Sequence, residues 1–505
     1  MEKKLPKGWV ETRVGVISEL IRGVTYKKQD ASQTEVEDSY LILRGGNIQD
    51  EKIVAGKDEV YVDKSLVKNS QKVFKNDIVI VGSTGSKRLI GKAGIADCDL
   101  QNVAFGAFLI LCRGNSLISK KFFSYFFSSN FYRERIRELA AGVNINNIRK
   151  EYINEMPFTL PPRAEQDRIV AKVDALMGQH AAIQQAMERI PQLLKDFRQQ
   201  VLTQAVTGKL TEEWRVGKEL ENGLSRFKRQ QQNRLSELGK KDKPNYLKYD
   251  VSDVLPHIND SWYKAPVGLT NDCIVPGRDK PKSFTGDIPW ITTPDLTEDF
   301  IHSSRKEIGL TRVEIEEVSA KIIPSDSVII SIVGRFGLSA ILTRNSVINQ
   351  QLHAFLPSTF IRSKYLMYYF KTIEQEMQDL SSSTTIAYIN KTKVNSLTID
   401  VPSLEEQQEI VRRVESLFEK ATAIEQRYEQ LKMQIDTLPQ SILHKAFKGE
   451  LVEQLDSDGS AVELLEEIVK LKSKYKLKSK SKLISKPASS GSREVVGLKK
   501  SNIIN

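Results

Sequence analysis

The segment Gly82 to Lys92, GSTGSKRLIGK, is the stretch whose residue types suggest phosphate chemistry, since glycines let a backbone wrap an anion while lysine and arginine supply charge. It lacks the spacing Gly-x4-Gly-Lys-[Ser/Thr] of a nucleotide phosphate loop, because Gly91-Lys92 is followed by Ala93. No Gly-x-Gly-x-x-Gly follows a strand pattern, so a dinucleotide fold has no support. Pro161-Pro162 lacks the preceding acidic or Asn residue and the following aromatic residue with which an amino-methyltransferase grips a flipped base. Pro294-Asp295 is not followed by the acidic-x-Lys triplet of a metal-dependent nuclease. The three cysteines, Cys98, Cys112 and Cys273, form no C-x-x-C pair, and the histidines His180, His257, His302, His353 and His444 are scattered. A disulfide framework, a zinc knuckle and a clustered metal site are therefore not expected. These absences favour a binding subunit over a self-contained DNA enzyme, with no catalytic residue and no cofactor of its own.

What the chain offers instead is positive charge and hydrogen-bond donors. Its formal net charge of +11 suits a polyanionic partner, because each neutralised phosphate releases condensed counterions. Part of that excess lies in the lysines alternating from Lys470 to Lys482, which read equally well as a solvated tail. Candidate DNA contacts sit in loops after short apolar strands. In the first half they are Arg44, Ser83, Thr84, Ser86, Lys87, Arg88 and Lys92, and in the second half Thr292, Thr293, Arg335, Asn349 and Gln350. Cations and hydroxyls donate to phosphates, and side-chain amides can read adenine. For any single residue a plain hairpin turn, or for Asn349-Gln350 a cap on local backbone, is the better explanation, and for the loops as a group the two readings stand level. The aromatic runs Phe122-Phe123-x-Tyr125-Phe126-Phe127 and Tyr365-x-x-Tyr368-Tyr369-Phe370 fall at helical spacing and are expected in a core rather than stacked on bases.

The elements that must position these loops come in two copies. Leu160 to Leu210 matches Val401 to Leu451 without a gap, Pro161 falling on Pro402, Glu165-Gln166 on Glu406-Gln407, and Gly208 on Gly449. Each copy carries an apolar stripe in steps of four and three. The first runs Ile169, Val173, Leu176, His180, Ile183, Met187, Ile190, Leu194, and the second Ile410, Val414, Leu417, Ala421, Ile424, Tyr428, Leu431, Ile435. Such a narrow seam belongs to a coiled coil, and two matching seams are natural partners. His180 reads as a polar, register-setting seam residue. Pro191 and Pro439 should kink or break their helices, and Gly208 and Gly449 should end them.

The segments before the helices echo each other more weakly. Leu5-Pro6-Lys7-Gly8-Trp9 resembles Asp260-Ser261-Trp262, Val73 to Ile80 resembles Ile323 to Ile330, and Gly82-x-x-Gly85 resembles Gly334-x-x-Gly337. NVAFGAFL from Asn102 lines up with NQQLHAFL from Asn349, and Ile145-x-x-Ile148-x-Lys150 with Ile386-x-x-Ile389-x-Lys391. The expected fold is α+β: two mixed α/β domains joined by two long helices in an antiparallel coiled coil, with a pseudo-two-fold internal repeat. The expected parts are a first globule over 1–159, a first long helix over 160–215, a polar helix and linker over 216–255, a second globule over 256–400, a second long helix over 401–455, and a short helix with a Lys-rich disordered tail over 456–505.

Length and hydropathy agree. At roughly 100 to 200 residues per domain, 505 residues suggest about three or four units rather than one, and several cores. Mean hydropathy is −0.35, no apolar run approaches the ~18 residues of a membrane span, and Met1 to Pro6 leads into no signal core, so a cytoplasmic location is expected.

A variable globule and a constant helix, each twice, with LPP-x-x-EQ and VPS-x-EEQ opening the helices and Ala446 to Leu451 (AFKGEL) closing the second, resembles the specificity (S) subunits of type I restriction-modification systems. The opening Leu5-Pro6-x-Gly8-Trp9 is similar to that family too, and the resemblance covers residues 1 to about 470. It implies that the globules are target recognition domains, each reading half of an interrupted DNA site, and that the helices set their separation. It also implies two modification (M) subunits carrying S-adenosylmethionine and adenine N6-methylation, and two restriction (R) subunits using ATP and Mg. The alternative from another class is a coiled-coil scaffold that binds only proteins.

Overall fold

The computed structural model describes residues 5–49, 51–54, 56, 59–86, 89–141, 147–237, 251–258, 260–277, 279–382 and 387–484. Lys87, Arg88, Ile145 and Ile386 lie outside the described residues. The chain divides into a first unit, Met1–Ala186 with Lys432–Asn505, and a second, Met187–Leu431. Each unit is a mixed α/β fold that contains part of both long helical regions.

In the first unit the strand Ile78–Val81, IVIV, is buried on both faces, as an uninterrupted apolar strand must be. It lies inside a six-stranded sheet ordered Ser18–Arg22, Leu109–Gly114, Ile78–Val81, Ala93–Ile95, Lys52–Ile53, Ile48–Gln49. A second sheet of Val103–Phe105, Ser39–Leu43, Tyr61–Asp63 and Ala31–Ser32 carries the Arg44 loop. The helix Lys120–Ser128 presents Phe122, Phe123, Phe126 and Phe127 to a core shared with Phe158 and Phe447, so this aromatic run packs rather than stacks on bases.

The second unit has a five-stranded sheet ordered Cys273–Ile274, Leu352–Phe355, Val328–Ser331, Ser339–Leu342, Phe300–Ile301, and a smaller one of Gly309–Leu310, Ile288–Ile291 and Val347–Ile348. Its aromatic helix, Ser363–Thr372, buries Tyr365, Tyr368, Tyr369 and Phe370.

The helical regions differ in continuity. The first is interrupted at Glu188–Arg189, giving Arg163–Met187 and Ile190–Val206, with Pro191 in the opening turn of the latter, where its missing N–H costs no bond. The second, Leu404–Lys448, runs unbroken through Pro439. Pro439 cannot donate to the carbonyl of Ile435, four residues earlier. The ring of His180, on Arg163–Met187, supplies that bond instead, Nε2 lying 2.9 Å from Ile435 O. Gly208 and Gly449 follow the two helical regions with φ of +77° and +72°, and a Cβ at Gly449 would meet Pro6 Cγ at 2.5 Å.

Seam positions that share a core with a globule are buried, and His180, Leu194 and Ala421 are buried as well. Ile169 and Val173 share a core with Ile442, Leu443 and Ala446 in the first unit, and Val201, Leu202 and Ala205 share one with Ile410 and Val414 in the second. Leu194 is buried, while Leu176, Met187, Ile190, Leu417, Tyr428, Leu431 and Ile435 are partly covered. Ile183 and Ile424 are exposed by 44% and 54%.

The Glu-Gln pair opening each helical region makes matching bonds. Trp9 Nε1 donates to Glu165 Oε2 at 2.9 Å and Trp262 Nε1 to Glu406 Oε2 at 2.8 Å. Gln166 donates to Pro161 O and accepts the N–H of Ser119, which caps the aromatic helix. Gln407 donates to Pro402 O and accepts the N–H of Arg362 at the start of the other aromatic helix. Each globule is thereby tied to a helix at two points.

Past the second helical region, the helix Ala461–Ile484 takes in the lysines from Lys470 to Lys482 that read as a solvated tail, because lysine and leucine are good helix formers and no glycine or proline intervenes. It buries Ala461 and Ile468 in the first unit, and Lys472 Nζ donates to Gly15 O and Ser18 O. Residues from Ser485 onward lie outside the described residues.

Candidate nucleic-acid interface

In the second unit the structure gathers four of the expected contacts. Thr292 opens the 3-10 turn Thr293–Asp295, and its N–H and hydroxyl both bond Asp295 Oδ2 at 2.7 Å, which fixes the turn. Thr293 Oγ1 reaches Gln351 Oε1 at 3.2 Å, Asn349 Oδ1 accepts the Gln351 N–H at 3.1 Å, and Gln350 Nε2 donates to Asp279 O at 3.1 Å. Thr292, Asn349, Gln350 and Gln351 line a cleft of about 380 Å³ with Lys280, Lys306, Phe284 and Trp290. Amides over a floor of aromatic rings, rimmed by two exposed lysines, can offer donors and acceptors to a base edge and charge to a phosphate. Arg335 is exposed on a separate loop, its N–H bonded to Val333 O. Sequence reasoning missed Lys280, Lys306 and Gln351; the third was signalled by the Asn-Gln-Gln run.

In the first unit the expected residues divide. Arg44 is exposed and opens the turn Gly45–Asn47, its N–H bonded to Asn47 Oδ1 at 2.7 Å, in the manner of Thr292. Thr84 Oγ1 accepts the Ser86 N–H at 3.3 Å and so builds the loop, while the backbone of Lys92 joins the strand edge through Val81. Ser83 lines a second cleft, of about 430 Å³, with Arg22, Thr25, Phe108, Asn147, Arg149 and Lys150. None of those six was expected as a contact from sequence, because four separate chain segments converge there.

Two alignments of the halves need correction. Gly106 N–H bonds Leu43 O and Asn349 N–H bonds Ile291 O, so Gly106, and not Asn102, occupies the place of Asn349. A shift by an even number of residues keeps a strand's inside and outside faces, so hydrophobic pattern alone could not detect it. The glycine pairs are also not equivalent. Gly82 and Ser83 N–H groups bond Phe108 O, whereas Ile332 N–H bonds Gln351 O, which puts Ile332 at the place of Gly82. Gly334 and Gly337 take φ of +75° and +73°, while Gly82 is needed for close approach, a Cβ there falling 2.9 Å from Ile110.

Among the described residues no group of three or more His, Cys, Asp or Glu could hold a metal ion, and no helix is long and apolar enough to cross a membrane.

The mixed fold of this chain agrees with known proteins. The pattern of the type I restriction modification DNA specificity domain matches residues 6–192 and 273–433. The chain is 33% identical over 92% of its length to the type I restriction enzyme StySPI specificity subunit of Salmonella potsdam, covering 96% of that protein. It is likewise 33% identical to the EcoKI specificity subunit of Escherichia coli strain K12, over 92% of this chain and 96% of that one. The crystal structure of the HsdS subunit from Thermoanaerobacter tengcongensis shares the fold with a TM-score of 0.57 at 19% identity, covering 89% of this chain and 99% of that one. The chain belongs to the family of type I restriction-modification specificity subunits. It is a DNA sequence-recognition subunit, and catalysis lies with partner subunits.

Proposed function

We propose that the two units each read one half of a bipartite DNA site while the helical regions hold the halves at a set spacing. The observation that carries this reading is the pair of matching Trp-Glu and Gln anchors, which tie two globules with different loops to helices in the same way. Within the first unit His180 meets Ile435 while Ile169 and Val173 share a core with Ile442 and Ala446; within the second, Arg198 meets Glu425 while Val201 shares a core with Val414. Residue numbers thus rise on one helix as they fall on the other, which supports an antiparallel coiled coil and an internal pseudo-two-fold repeat. Tethering two readers makes the second half-site an intramolecular encounter, so two modest readouts act as one specific one.

Two modification subunits with S-adenosylmethionine and, in the larger assembly, two restriction subunits with ATP and Mg supply the chemistry in this reading, in the cytoplasm. Apolar side chains left exposed on the helices, Ile183, Met433 and Leu438 in the first unit and Leu193 and Ile424 in the second, offer surface for such partners. The test is to replace residues 1–159 by the corresponding part of another specificity subunit and map methylated adenines. One half of the motif should change and the other stay; a change in both halves overturns the modular reading. A scaffold that binds only proteins would show no DNA affinity that falls with salt.

A further inference from the structure

The cleft beside Ser83 differs from the reading cleft of the second unit by two unpaired guanidinium groups. Its walls are the end of Ser18–Arg22, Gly82 and Ser83 after Ile78–Val81, Phe108, and residues 147–151. Arg22 and Arg149 line it, both are exposed, and neither guanidinium has a partner among the described residues. Lys150 adds a third cation. Its Nζ is held on Leu20 O at 2.8 Å, and burial, with the Arg22 charge beside it, lowers its pKa below the ordinary lysine value. Glu151 lines the wall and Glu19 acts on Lys150 from nearby, so the cations remain in excess.

Local stability does not account for these side chains. Arg149 is the N-cap residue of Lys150–Asn154 and makes no side-chain cap. The corresponding residue of the second unit, Asn390 before Lys391–Asn395, accepts the Lys393 N–H at 2.9 Å, as a good cap does. An arginine has no acceptor to offer there, and its charge opposes the helix dipole. Arg22 is matched by Val275. That register follows from Leu20 and Cys273 lying opposite Cys112 and Phe355, which in turn lie opposite Ile78 and Val328. The lysine is shared by the two units and the two arginines are not.

We propose that this cleft clamps a phosphate of the DNA backbone, with Arg22 and Arg149 as the donors and Lys150 as a fixed charge behind them. The planar guanidinium fork matches phosphate oxygens, and an anion bound between the guanidinium groups would interact favourably with all three cations. This rests on the reading of the chain as a DNA-recognition subunit. It adds that the first unit grips the backbone at a place where the second does not, and that the grip positions the protein without reading sequence.

The test uses the chain assembled with its modification partner and a duplex carrying the motif that the assembly methylates, titrated between about 50 and 200 mM salt. The Arg22→Gln, Arg149→Gln double variant should bind on the order of tenfold more weakly at low salt, and the slope of log affinity against log salt should fall by about one, the contribution of one phosphate. The methylated motif should stay the same, and the Arg22→Lys, Arg149→Lys variant should keep the slope. Urea midpoints of all three proteins should coincide, since both side chains are exposed. An unchanged slope in the double glutamine variant overturns the proposal, as does an altered motif, which would make these residues base readers. Competition by inorganic phosphate beyond that of chloride at equal ionic strength would assign the cleft to free phosphate and also overturn it. If the unsubstituted assembly shows no salt-dependent binding, the DNA-recognition reading itself fails, which is a separate result.

Discussion

The two units use the same anchor and complete it with different charges. In the first, Glu165 accepts from Trp9 and from the neutral amide of Gln454, at 3.1 Å. In the second, Glu406 accepts from Trp262, from Thr211 Oγ1 at 2.7 Å and from the Arg215 guanidinium at 2.6 Å. The candidate loops diverge more. Gly106-Ala107-Phe108 occupies the place of Asn349-Gln350-Gln351, and Phe108 is exposed by 71%. The comparison separates two kinds of constraint. A buried carboxylate facing an indole leaves few substitutes, whereas a loop residue facing solvent is constrained only by what it binds.

The largest expected effect breaks the anchor where it carries charge. Side chains of Arg215 and Glu406 are only 11% and 1% exposed, so Glu406→Gln leaves a nearly buried guanidinium without a counter-charge. The loss should be roughly 3–5 kcal/mol, read from the denaturation midpoint. Glu165→Gln should cost far less, because no cation depends on that carboxylate in the same way, and it sharpens the comparison through pH. Burial raises the Glu165 pKa above the usual carboxylate value, with the Asp458 charge adding to the rise and the bonds from Gln454 and Trp9 opposing it. A raised acid binds its proton more readily folded than unfolded. Its contribution is present below the ordinary value and lost as pH rises through the raised one. The wild-type protein should therefore lose stability across that interval and Glu165→Gln should lose less; equal pH profiles would contradict this.

The sequence was most legible where pattern and burial coincide. Ile169, Val173, Ile410 and Val414 are fully buried, as an apolar stripe at helical spacing implies. Ile183 and Ile424 belong to the same stripes and are exposed, because periodicity tells which side of a helix is apolar and not how far along it a neighbour reaches. The repeated Glu-Gln and Trp residues were visible, but their hydrogen bonds were not, since Trp9 and Glu165 are brought together only by the pairing of Val10–Arg13 with Pro157–Leu160. Arg22 and Arg149 escaped notice for the same reason. Each is an ordinary surface arginine until distant segments meet. That Thr292, Asn349 and Gln350 come together in one cleft follows from their place at strand ends, a short, local signal, though the register that relates them to the first unit was not legible.

The smallest expected effect concerns the one place, among the described residues, where a proline stands inside an unbroken helix. His180 was expected as a polar residue in an apolar seam, and the structure gives it a partner: the Ile435 carbonyl that Pro439 leaves free. His180 is 7% exposed, so removing its ring strands a carbonyl in a covered site. His180→Leu should cost about 1–3 kcal/mol, the range for an unsatisfied buried polar group. Pro439→Ala restores an N–H that can reach Ile435 O within the helix, and alone it should stabilise that turn or leave it unchanged. Combined with His180→Leu it should recover most of the loss, because the carbonyl then has its partner from its own helix and leucine suits the seam. A double-mutant cycle on the denaturation midpoint measures this coupling. Strictly additive effects would mean that the histidine acts only by filling space between helices, and the second unit, where Ala421 holds the corresponding position, would then differ from the first in volume rather than in hydrogen bonding.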